Sequence, residues 1–207
     1  MIKKAFTLLM ILQISCIANA QHGLADYTTE NCDIIWFGVD FTLAKLIGVD
    51  DFNRTKLTQK ELLESWNAVI LKEPKKYNLP KFFRLTRLKI DLSEVLYRNS
   101  KIDFKNLVID SDYSISESDA LDLLDNIDLK QYKDGIGLIL IIESFHKRHR
   151  VSTGYLAIFD ISSRKPFFLH RLRGGSNGIG IESYWSNAIY DMLQSSEKLI
   201  KTEIKRK

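Results

Sequence analysis

Five consecutive residues late in the chain match a motif that carries a serine nucleophile. They are Gly174, Gly175, Ser176, Asn177 and Gly178. The G-x-S-x-G pattern exposes the serine of many hydrolases on a turn before a helix. The glycine-rich residues that follow Ser176 do not favour an immediate helix, and the hydrolase order requires a later histidine, whereas His170 is the last one. We therefore predict no catalytic residue here and treat residues 174–178 as a candidate binding loop.

A second pattern resembles the beginning of a calcium loop. Asp110 and Asp112 alternate with other residues, as the first ligands of such a loop do. The sixth position requires glycine for the sharp turn but is Ile115, and the twelfth requires a bidentate glutamate but is Leu121. We therefore expect a plain loop before a helix.

Two histidines at a spacing of three could ligate a metal. His146 and His149 share a segment with Lys147, Arg148 and Arg150, and the segment contains no cysteine or carboxylate. Three cations would oppose a bound metal ion. We expect a solvated hairpin tip, and the sequence predicts neither a metal site nor a cofactor.

The composition is that of an ordinary globular protein. Hydrophobic residues make up 45% of the 207 residues and charged residues 27%. The net charge is +4, and it falls to +2 without Lys3 and Lys4, which belong to a segment that we expect to be removed. Such a balance gives no reason to expect a nucleic-acid partner.

The first 20 residues have the order of a secretory signal peptide. Lys3 and Lys4 precede an apolar segment, 5–17, and Ala18-Asn19-Ala20 provides the small-x-small cleavage pattern. We predict export to the periplasm or the extracellular space, with cleavage after Ala20. The domain organisation is then a signal peptide, 1–20, and one globular domain, 21–207.

Cys16 leaves a second possibility, because a lipoprotein signal places a lipidated cysteine directly after the apolar segment. Gln13 and Ile14 depart from the usual leucine and small residues, so plain secretion is favoured over an anchor at Cys16. Cys32 is the only other cysteine and is expected to be an inert thiol. The longest later apolar run, 135–142, is too short to span a membrane.

Hydrophobic periodicity predicts strands that alternate with helices before three final strands. Strands are expected at 33–41, 85–92, 104–110, 138–142, 152–161 and 167–173, and helices at 59–72, after Ser116 and after the glycine-rich loop 174–180. The predicted fold is α+β: one mixed sheet of five to six strands with helices packed on it. A three-strand antiparallel meander and an amphipathic helix, anchored by Trp185 and Met192, would form its C-terminal part.

The last 70 residues resemble two kinds of bacterial envelope lipoprotein, those of curli secretion and the activators of penicillin-binding proteins. The resemblance lies in FDISSRKPFFLHRLRG, followed by a glycine-rich loop and an amphipathic helix. The turn of those proteins often contains Asp-x-x-Thr-Gly, whereas Ile161, Ser162, Ser163 and Arg164 follow Asp160 here. The resemblance implies an envelope α/β domain and transfers no functional residue.

Two hypotheses about function follow. The first is an exported cell-envelope protein, not an enzyme, that binds or helps to assemble another envelope protein or component. The alternative is a secreted serine hydrolase that uses Ser176.

Overall fold

The computed structural model describes residues 22–53 and 58–206. The predicted signal peptide, its cleavage site and Cys16 lie outside these residues. The helices are Leu24–Thr29 (α1), Val49–Asn53 (α2), Gln59–Lys72 (α3), Leu79–Phe83 (α4), Ser93–Asn99 (α5), Glu117–Asn126 (α6) and Ile181–Lys205 (α7). The strands are Ile34–Asp40 (β1), Lys45–Ile47 (β2), Lys89–Ile90 (β3), Val108–Ile109 (β4), Ile136–His146 (β5), Val151–Asp160 (β6) and Pro166–Gly175 (β7).

Strand β5 is the centre of a single mixed sheet. Along one side it pairs in parallel with β1 over its first half and with β2 over its second half, so β1 and β2 lie end to end. Strands β3 and β4 extend the sheet outward, each parallel to its neighbour. On the other side, β6 is antiparallel to β5, and β7 is antiparallel to β6. The meander is therefore only one part of a sheet whose other half is parallel.

The prediction of a mixed α/β fold with helices on one sheet is confirmed, but the expected five to six strands are too few. The described residues form seven strands, because the segment after β1, where no strand was expected, includes β2. Two predicted strands shrink to two residues each, β3 and β4, and Phe104–Asn106 forms a 3₁₀ turn instead. Such short edge strands carry too little alternation for periodicity to locate them.

Capping residues fix where the helices begin. The Thr58 hydroxyl accepts a hydrogen bond from the Glu61 amide, and the Glu61 carboxylate accepts one from the Thr58 amide. Ser116 and Asp119 form the same reciprocal box at the start of α6. Each box satisfies backbone N–H groups that have no partner within the helix.

The two faces of the sheet carry separate apolar cores. Helices α3, α4 and α7 cover one face, and α6 covers part of the other. Trp185 and Met192 of α7 are fully buried, as predicted for the residues that anchor this helix. Among the described residues, no helix is both long and apolar enough to cross a membrane.

Candidate functional site

Four segments meet at one end of the sheet, which we call the carboxyl edge. They are the ends of strands β2, β4, β5 and β7 with the residues that follow, 48–50, 110–112, 147–149 and 176–180. They meet because β2 and β4 are parallel to β5, and because β7 regains the direction of β5 after two antiparallel pairings. The carboxyl ends of parallel strands are where open α/β sheets usually bind ligands.

A polar cavity of about 430 Å³, the carboxyl-edge pocket, opens among the first three segments. Its polar lining consists of Asp50, Asp110, Asp112, His146, Lys147, Arg148 and His149. Asp110 stabilises its rim, because Oδ1 accepts a hydrogen bond from the Val49 amide at 3.0 Å.

Two motifs that looked unpromising separately come together in this pocket. Asp112 from the calcium-like segment lies against His146, the last residue of β5, with Oδ1 3.4 Å from Nε2. The rings of His146 and His149 have centroids 4.1 Å apart. One ligand atom from each of the three residues falls within 4.8 Å of the other two. The carboxylate that the histidine segment lacks is thus supplied by a residue 34 positions earlier.

The candidate binding loop is placed differently from the prediction. Gly174 and Gly175 belong to β7, where they pair with Ser152 and Val151. Gly174 lets the strand pass closely beneath α7, since a Cβ there would lie 2.0 Å from the Ala188 carbonyl oxygen. The loop proper therefore begins at Ser176.

Ser176 lacks the surroundings of a nucleophile. Its amide donates to the Arg150 carbonyl oxygen at 2.9 Å, but its buried hydroxyl has no hydrogen-bond partner among the described residues. A catalytic serine needs a general base within hydrogen-bond reach. The neighbouring Asn177 is held by Asn187, whose Nδ2 donates to the Asn177 carbonyl oxygen at 2.8 Å.

Sequence reasoning missed two ion pairs with buried carboxylates, Asp40 and Glu143, on the sheet face that α6 covers only in part. Arg98 Nε donates to Asp40 Oδ2 at 2.7 Å, and the Arg171 guanidinium binds both carboxylate oxygens of Glu143, at 2.6 and 3.0 Å. The hydrogen bonds to Glu143 raise the pKa of Arg171 above its ordinary value. Thr153 also donates to Glu143, at 2.8 Å. Both carboxylates are thus occupied by structural partners.

Cys32, which the sequence predicts to be an inert thiol, is partly buried. Desolvation and the charges of Asp26, Asp33 and Asp134 raise the pKa of this thiol to about 11. At neutral pH such a thiol is almost wholly protonated, which disfavours a nucleophilic role.

A second cavity, which the sequence did not reveal, lies between α3 and α5. We call this cavity of about 390 Å³ the α3–α5 groove. Its apolar lining comes from Leu63, Ala68, Leu71, Leu92, Leu96 and Phe104. Leu71 and Leu96 are 43% and 40% exposed, although both are large hydrophobic side chains.

Two buried asparagines form the floor of the groove. In the part of the chain that the structure describes, the outer edge of β1 has no strand beside it after Trp36, where pairing with β3 ends. Asn67 takes the place of a strand: Oδ1 accepts from the Val39 amide at 2.9 Å and Nδ2 donates to the Val39 carbonyl oxygen at 2.8 Å. Asn99 likewise accepts from the Phe41 amide at 2.8 Å and donates to Val39 at 3.0 Å. Two asparagines within apolar helical stripes were the only trace of this arrangement in the sequence.

No family model, curated protein or solved structure that we compared matches the chain. The resemblance to envelope lipoproteins therefore remains a prediction from residues 138–207.

Proposed function

We propose that the protein is an exported, non-enzymatic component of the bacterial cell envelope that binds an acyl chain of an envelope lipid. The observation that carries the proposal is the α3–α5 groove, a preformed and almost wholly apolar cavity on an exposed surface. Cavities of a few hundred Å³ with apolar walls are typical ligand sites.

The chemistry of the groove selects an occupant without backbone amides. The amides of Asn67 and Asn99 already bind the backbone of β1. An extended peptide buried in the groove would leave its own N–H and C=O groups unpaired, which costs roughly 1–3 kcal/mol for each group. An acyl chain has no such groups and gains free energy with every methylene that it buries.

The rim of the groove suits a polar head group. Lys60 and Glu64 lie at its mouth, with Nζ 3.8 Å from the carboxylate and both side chains more than half exposed. Such a surface ion pair contributes little to stability and exchanges easily. The head group of a bound lipid would stay in water beside these charges. The signal-like segment 1–20 supports a location where envelope lipids are encountered.

Fluorescence titration with cis-parinaric acid, a fluorescent fatty acid, tests the proposal. Ala68→Phe fills the groove, and we expect it to weaken binding at least about tenfold, or about 1.4 kcal/mol. Ala25→Phe introduces the same ring on the exposed surface of α1 and should leave binding unchanged. Equal affinities of the two variants, or no binding by the unmodified protein, would contradict the proposal.

Export is tested separately by N-terminal sequencing of the protein from fractionated cells. We expect the mature chain to begin at Gln21. A chain beginning at lipidated Cys16 would favour the anchored alternative, and uncleaved protein in the cytoplasm would contradict export.

The alternative, a secreted serine hydrolase that uses Ser176, has one point in its favour: the hydroxyl is not engaged by another described residue. A fluorophosphonate probe separates the two functions. We expect no labelling that depends on Ser176, and labelling abolished by Ser176→Ala would establish the hydrolase instead.

A further inference from the structure

The carboxyl-edge pocket suggests a ligand unrelated to the groove. We propose that Asp112, His146 and His149 bind a divalent first-row transition-metal ion, of which zinc fits the ligand set best. Two imidazoles and one carboxylate are ligands that zinc commonly takes, and three protein ligands leave a position for water or an exogenous group. The inference does not depend on the proposed lipid-binding function.

The distance between Asp112 and His146 fits two ligands of one ion. At 3.4 Å, Oδ1 and Nε2 are farther apart than the atoms of an ordinary hydrogen bond, about 2.7–3.2 Å. Two ligands bound to zinc at about 2.0–2.2 Å in tetrahedral geometry lie roughly 3.3–3.6 Å from each other. The third ligand atom, from His149, needs only a small approach from within 4.8 Å. Asp112 and His149 are both exposed, so their side chains are free to make this adjustment.

Within the described residues, the His146 ring has a single polar contact, the 3.4 Å approach of Nε2 to Asp112. The side chain is only 14% exposed, and Nδ1 is buried without a hydrogen-bond partner among the described residues. Buried polar atoms are normally paired, and an unpaired one points to a missing ion or water. Because Nε2 faces Asp112 and would be the ligand, the unpaired Nδ1 calls for a water, which is a usual partner for the outer nitrogen of a metal-bound histidine.

The charges around the pocket do not oppose a cation as the sequence suggested. The Lys147 ammonium lies over the Tyr184 ring, 4.1 Å from its centroid, in a cation–π contact. Among the lining residues, Asp50, Asp110 and Asp112 outnumber the two cations, Lys147 and Arg148. The third cation of the segment, Arg150, does not line the pocket. The balance of nearby charge therefore favours a divalent ion.

Isothermal titration of the purified protein with zinc alone, after treatment with a chelator, tests the proposal. We expect one ion per chain. Loss of an outer-shell partner alone costs about 10–100-fold in metal affinity, so loss of a direct ligand should cost at least about 100-fold. His149→Gln and Asp112→Asn alter exposed side chains and should leave the fold intact.

His170→Gln is the matched control, because this histidine lies within β7 against Phe168 and outside the pocket. It should leave zinc binding unchanged. Zinc should also raise the melting temperature of the unmodified protein and of H170Q, but not of H149Q. The proposal is overturned if the unmodified protein binds no zinc, if H149Q and D112N bind it as tightly as the unmodified protein, or if H170Q weakens it equally.

Discussion

The α3–α5 groove and the carboxyl-edge pocket are nearly equal in volume, about 390 and 430 Å³, but their polar groups serve opposite purposes. In the groove, Asn67 and Asn99 are committed to the backbone of β1. In the pocket, the side chains of Asp112, His146 and His149 lie close to one another and make few hydrogen bonds to the rest of the described chain. The groove is therefore part of the fold, whereas the pocket is an addition at the end of it.

Topology explains this difference. The groove fills a gap in the outer row of the sheet, between the short strands β3 and β4, where the backbone of β1 needs substitute partners. The pocket lies beyond the ends of β2, β4 and β5, where backbone pairing is finished and side chains are free. Substitutions of the polar side chains should accordingly disturb stability in the groove, through Asn67 and Asn99, and zinc binding in the pocket.

The largest loss of stability is expected at Trp185, whose ring packs in the core next to the carboxyl edge. Its ring stacks on Phe52 at 5.6 Å and meets Phe145 edge-on at 5.1 Å. Trp185→Ala should destabilise the protein by about 3–5 kcal/mol, because the ring is fully buried. Urea unfolding measures the change. Tyr97→Ala, at a side chain that is 61% exposed, should cost little, and equal effects would show that α7 is peripheral.

The next effect concerns the floor of the groove. Asn67→Ala leaves the buried Val39 amide without an acceptor, while the Val39 carbonyl oxygen keeps Asn99. We expect a loss of about 1–3 kcal/mol in the free energy of unfolding. Asn126→Ala removes an exposed side chain that binds the Asp122 carbonyl oxygen within α6, and it should cost at most about 0.5 kcal/mol. An unchanged melting temperature of Asn67→Ala would contradict the claim that Asn67 stabilises the backbone of β1.

A somewhat smaller loss of stability is expected when Gly178 at the carboxyl edge is replaced by alanine, and almost none when Gly175 is replaced. Gly178 has a φ of +122°, and a Cβ there would lie 2.8 Å from Ser183 Oγ, so Gly178→Ala should cost about 1–2 kcal/mol. Gly175 has an ordinary φ, and the nearest atom to its Cβ would be Asp191 Oδ2 at 3.6 Å. Gly175→Ala should be nearly neutral. Thermal melts of the two variants measure the difference. Equal losses of stability would show that the positive φ of Gly178 does not require a glycine there.

The elements that could be predicted from the sequence are those that depend on a local pattern of residues. The helices expected at 59–72 and after Ser116 are present, each beginning at a capping box, and the apolar strand expected at 138–142 lies within β5. The sequence could not predict the parallel pairing of β2 and β4, because three and two residues carry no periodicity. Nor could it predict that Asp112 meets His146, since that contact depends on which strands end together. Each motif was judged alone, and neither contained a complete ligand set.

The smallest effect is the sharpest test of the comparison. Asp112→Ala and His149→Ala, measured in the presence of a chelator, should each change the free energy of unfolding by less than about 0.5 kcal/mol, because both side chains are exposed. Asp40→Ala is the contrasting variant: its carboxylate is fully buried, and its removal leaves the partly buried Arg98 without its partner, at a cost of about 3–5 kcal/mol. Chemical denaturation of the three variants gives the comparison directly. If Asp112→Ala or His149→Ala destabilised the protein as much as Asp40→Ala does, these side chains would be part of the fold, and the distinction between the two regions would fail.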